Sequence, residues 1–83
     1  IWAMNKQRHA RKAPIATLVT DAKFYMNELA YLSPKSERES DQAVKFSGEL
    51  ASVAYELGER GYRQSFIDLC MSRINSALDK FNA

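Results

Sequence analysis

Residues Ile15 to Leu32 read IATLVTDAKFYMNELAYL, and their apolar stripe falls at 15, 18, 19, 22, 25, 26, 29 and 32. Steps of three and four residues are the period of a helix, so the stretch predicts an amphipathic helix with one buried side. Pro14 reads as its first residue, where a missing N–H leaves no donor unpaired, and it disfavours helical geometry at Ala13. Ser33-Pro34 ends the stripe.

Moving outward, Ser36 followed by Glu39 has the spacing of a capping box, which satisfies the first free N–H groups of a second helix reciprocally. That helix carries Ala43, Phe46, Leu50, Val53, Ala54 and Leu57 on one side, and Gly61 is placed to end it in a left-handed conformation. A third helix follows, with Phe66, Leu69, Cys70, Ile74, Ala77, Leu78 and Phe81 at helical intervals. Three helices of about twenty residues, joined by short connections, predict an all-α, up-down-up three-helix bundle. Eighty-three residues hold one core, so the expected organisation is a bundle over 13–83 preceded by an arm over 1–12.

The arm is set apart by charge. Residues 6 to 12 read KQRHARK, and Lys6, Arg8, Arg11 and Lys12 give residues 1 to 12 a charge of +4, whereas the chain as a whole carries +2. No acid precedes Asp21. The arm's Ala, Met, Lys, Gln and Arg also favour a short extra helix, with Trp2 available to pack it. The opening IWAM is too short for a signal-peptide core. Met4 reads as a candidate initiator, with Ile1 to Ala3 then foreign to the natural chain.

Apolar residues left over from the stripes are candidates for partner binding. Phe24 and Tyr31, two turns apart beside Thr20, form a ridge away from the first helix's stripe, covered either by the arm or by a partner. The second helix has an additional strip, Val44, Gly48, Ala51 and Tyr55. It serves either for packing against both neighbouring helices, Gly48 and Ala51 permitting close approach, or as a dimer interface. Lys45, Glu49, Ser52, Glu56, Glu59 and Arg60 read as its solvated side.

Chemistry finds little support. One histidine and one cysteine cannot assemble a metal centre, and Cys70, on the expected core side, reads as a small buried hydrophobe. The acids show no catalytic spacing, and the three glycines, 48, 58 and 61, form no phosphate-binding loop. The expectation is therefore no catalytic activity, no cofactor and no metal. No apolar run reaches the roughly 18 residues that span a bilayer, and a lone cysteine suits a reducing, cytoplasmic setting. Ala54, Leu57-Gly58, Cys70, Ile74, Ala77 and Leu78 resemble part of one tetratricopeptide repeat. An aromatic is lacking at Ala54, as is a tyrosine at Gly61, and no second copy of the roughly 34-residue unit follows, so membership is not assigned.

Two functions are thus expected of different residues. The first is a small interaction or regulatory module that binds a protein partner or a second copy of itself as a homodimer, using Phe24, Tyr31, Thr20, Val44 and Tyr55. The alternative is an accessory protein that binds nucleic acid weakly and without sequence preference through Lys6, Arg8, Arg11 and Lys12, with Arg73 as the one contribution from the body.

Overall fold

A computed structural model describes residues 13–82. The basic arm with Lys6, Arg8, Arg11 and Lys12, its expected short helix, and His9 lie outside the described residues. Helix α1 spans Ile15–Tyr31, α2 spans Glu37–Glu59 and α3 spans Gln64–Asn82, and among the described residues there is no strand. Connections of only five and four residues join α1 to α2 and α2 to α3, and Phe24 of α1 meets Phe46 of α2 while Gly58 of α2 lies beside Ile67 of α3, so successive helices fold back antiparallel. Lys80 near the end of α3 reaches the Leu32 carbonyl at the end of α1, so those two run parallel. The result is the expected up-down-up bundle.

The core follows the stripes. Leu18, Ala22, Met26 and Leu29 are buried from α1, Ala43, Leu50, Val53, Ala54 and Leu57 from α2, and Cys70, Ile74 and Ala77 from α3. Each fully buried leucine contributes about 1.5–3 kcal/mol relative to exposure. Leu69 and Leu78, expected in the core, are instead 42% and 36% exposed. They flank the Cys70–Ile74–Ala77 line on opposite sides, where α3 turns away from its neighbours.

The ends of the helices are set by specific residues. Pro14 is the N-cap of α1 and not its first residue; its extended ψ of 156° precedes the helix, and its carbonyl accepts from Leu18 N–H at 3.1 Å. Ser36 caps α2, its Oγ accepting from Glu39 N–H at 3.3 Å. The return half of the capping box is redirected, because the Glu39 carboxylate accepts from Ser33 N–H at 3.1 Å and ties down the residue before the Pro34 turn. At the other end Gly61 has φ +74°, Tyr62 N–H donates to the Leu57 carbonyl at 2.9 Å, and Gly61 N–H donates to the Gly58 carbonyl at 3.1 Å. This is the glycine-terminated corner that the sequence predicts, and it turns the chain directly into α3.

Candidate functional site

Three seams run along a three-helix bundle, and each is closed differently here. In the α1/α2 seam, aromatic rings fill the gap: Phe24 packs edge-on against Tyr25 at 5.5 Å and against Phe46 at 6.5 Å between ring centres. Glu49, expected on the solvated side of α2, is buried in this seam at 6% exposure and accepts a hydrogen bond from the Tyr25 hydroxyl. Burial pushes the Tyr25 phenol up to about 12, with the Glu49 hydrogen bond and charge adding to the effect and Asp21 contributing least. Phe24 is therefore only half-exposed. Tyr31, 80% exposed, stands away from it near the end of α1, and Thr20 donates its hydroxyl to the Ala16 carbonyl one turn back.

The α2/α3 seam is open. Ala51, Ala54, Tyr55, Gly58, Ile67 and Met71, with the single acid Glu59, line a groove of about 350 Å³. At 100° per residue, Val44 and Tyr55 lie roughly 160° and 180° round α2 from Phe46, so they belong to this side and not to the Phe24 seam. A Cβ built on Gly48 meets nothing within 4 Å. The close helix approach expected at Gly48 is thus absent, whereas Ala51, on the same strip, is partly buried against the core. Val44 and Tyr55 remain 66% and 67% exposed. Across the groove, Ile67, Met71, Asn75 and Leu78 recur along α3 at intervals of three or four, and no position on either strip is charged.

The α1/α3 seam has a different character. Two adjoining hollows of about 180 and 220 Å³ share Met26, Ala30 and Arg73. Leu69 and Lys23 line one and Lys80 lines the other, and no acid lines either. Helices α1 and α3 also meet less closely than either meets α2. Arg73 stands with Leu69 in one hollow and with Lys80 in the other.

The five residues expected to bind a partner therefore fall into two groups, Phe24, Thr20 and Tyr31 on α1 and Val44 and Tyr55 on the far side of α2. Sequence reasoning passed over Met71, which stands four residues after Ile67 and seven before Leu78, the signal of a second apolar stripe. It also passed over the grouping of Lys23 with Arg73 and Lys80, which depends on the parallel placement of α1 and α3.

For chemistry, Cys70 is fully buried and its thiol is held above the ordinary cysteine range by that burial, as befits an unreactive core residue. Among the described residues no group of His, Cys, Asp or Glu is arranged to hold a metal ion, and no helix is long and apolar enough to cross a membrane. Comparison with protein-family models, curated proteins and solved structures finds no match to this chain.

Proposed function

We propose that this chain is a small helical interaction module, without catalytic activity, that pairs with a second copy of itself through the largely apolar α2/α3 face. The observation that carries the reading is the open groove flanked by Val44, Tyr55, Met71 and Leu78, all exposed although apolar or aromatic. In a two-fold dimer each residue of the patch meets the same patch of its partner, so like charges would oppose one another, and here the strips carry none.

Size favours a modest affinity. Two adjacent helices, each about 10 Å wide and about 30 Å long, present about 600 Å² per copy, or about 1,200 Å² in total. That is the lower limit for a specific interface, which suits a reversible dimer and not a permanent one. The buried free thiol of Cys70 is compatible with the reducing, cytoplasmic setting of this reading.

Sedimentation equilibrium over a range of concentrations tests it. The wild type is expected to move from 9.4 kDa toward twice that mass, whereas Tyr55→Asp/Met71→Asp stays monomeric with unchanged helical circular dichroism. A wild type that remains monomeric throughout ends the self-association reading. Dissociation by Phe24→Ser/Tyr31→Ser instead would move the interface to the α1 ridge.

A further inference from the structure

We propose that the groove between α1 and α3 docks an acidic amphipathic helix of a partner protein. The site is separate from the α2/α3 face, on the other side of α3, and does not depend on self-association.

The groove has an apolar floor and a cationic rim. Met26, Ala30 and the half-exposed Leu69 form the floor, with Lys23 on one bank and Arg73 and Lys80 on the other, all three cations exposed. Ten acids occur in the chain, yet none lines this groove, so the local field is positive although residues 13 to 82 carry more acids than bases. One cation is also held in place: Lys80 Nζ donates to the Leu32 carbonyl at 2.8 Å, which fixes the ammonium at the bank and leaves its charge intact.

Spacing specifies the occupant. Arg73 and Lys80 are two turns apart, about 10.5 Å along the axis. A helix laid in the groove meets them with carboxylates at positions i and i+7, while its residues to one side of that line, at i+1, i+4 and i+8, reach the floor. A phosphate backbone offers nothing for Leu69 and Met26 to contact, so the combination of floor and rim favours the acidic helix over nucleic acid.

The test is fluorescence anisotropy of the full chain with a labelled designed peptide of about 18 residues, five helical turns, that bears leucines on one side and glutamates flanking them. Saturable binding that weakens with added salt is expected. Arg73→Glu/Lys80→Glu should weaken it at least about tenfold and Leu69→Ser about fivefold, with circular dichroism unchanged. A version in which Lys6, Arg8, Arg11 and Lys12 are glutamine should retain binding, as should Tyr55→Asp/Met71→Asp.

Three results would overturn the proposal. One is equal binding of a scrambled peptide of the same composition, which would make the contact purely electrostatic. Another is loss of binding with the neutral arm, which would place the site there. The third is a duplex oligonucleotide that binds more tightly than the peptide and depends on Arg73 and Lys80, which would make this a phosphate-binding surface.

Discussion

Tyr25 and Glu49 illustrate how a single side chain can be misread from its neighbours in the chain. Lys45, Glu49 and Glu56 sit on one side of α2 at spacings typical of a solvated face, and nothing local distinguishes the middle one. Burial of Glu49 depends on α1 packing over it with Tyr25 positioned to donate, a contact across 24 residues that no period of one helix reveals. Ser47 of α2 is also buried, and its Oγ has no hydrogen-bond partner among the described residues.

The Tyr25 pair has a measurable pH signature. Its phenol titrates higher in the folded state than the ordinary value of 10.0, so the neutral form is the one that folding favours. The stabilisation is complete below pH 10 and is lost as pH rises through about 12. In an ultraviolet titration of tyrosinate, Tyr25 should give a step near pH 12, and Tyr25→Phe should abolish that step. Absence of a step near pH 12 would mean that the burial of Tyr25 and its hydrogen bond to Glu49 do not persist in solution.

At the scale of elements, helix existence was legible because each stripe repeats over four turns or more, and helix ends were legible where a residue has only one conformational use. Gly61 is such a residue. Gly48 is not, since a small residue in a helix is equally consistent with close packing and with an empty surface, and only the position of α3 decides between them. The two glycines should consequently respond to alanine with opposite signs. Gly61→Ala places a side chain at φ +74°, where no atom within 4 Å obstructs it, so the loss of about 1 kcal/mol is purely conformational. Gly48→Ala, in mid-helix beside open space, should raise stability by about 0.8 kcal/mol through helix propensity. Urea denaturation at low protein concentration measures both, and a gain from Gly61→Ala would refute the left-handed corner.

For the whole molecule, the bundle could be read from the sequence but the inequality of its three seams could not. Period assigns each residue to a side of its own helix. It does not say which sides are closed by aromatic rings, as between α1 and α2, and which stay open. Leu69 and Leu78 show the difference, since both satisfy the α3 stripe and both end at an open seam. The segregation that follows, a largely apolar seam on one side of α3 and a cationic one on the other, arises only when residues from different helices are brought together.

The contact between Lys80 and Leu32 joins positions 48 residues apart. Leu32 is the C-cap of α1, so its carbonyl belongs to the negative end of that helix, which has no basic residue of its own in its last turn. Lys80→Met should therefore accelerate amide hydrogen exchange in the last turn of α1 severalfold while leaving the Gly61 corner unaffected; unchanged exchange there would mean that water serves the carbonyl equally well. The consequence is one of cooperativity: α1 is completed electrostatically only when the final turns of α3 have docked, which opposes a stable half-folded state of two helices and favours folding as a unit.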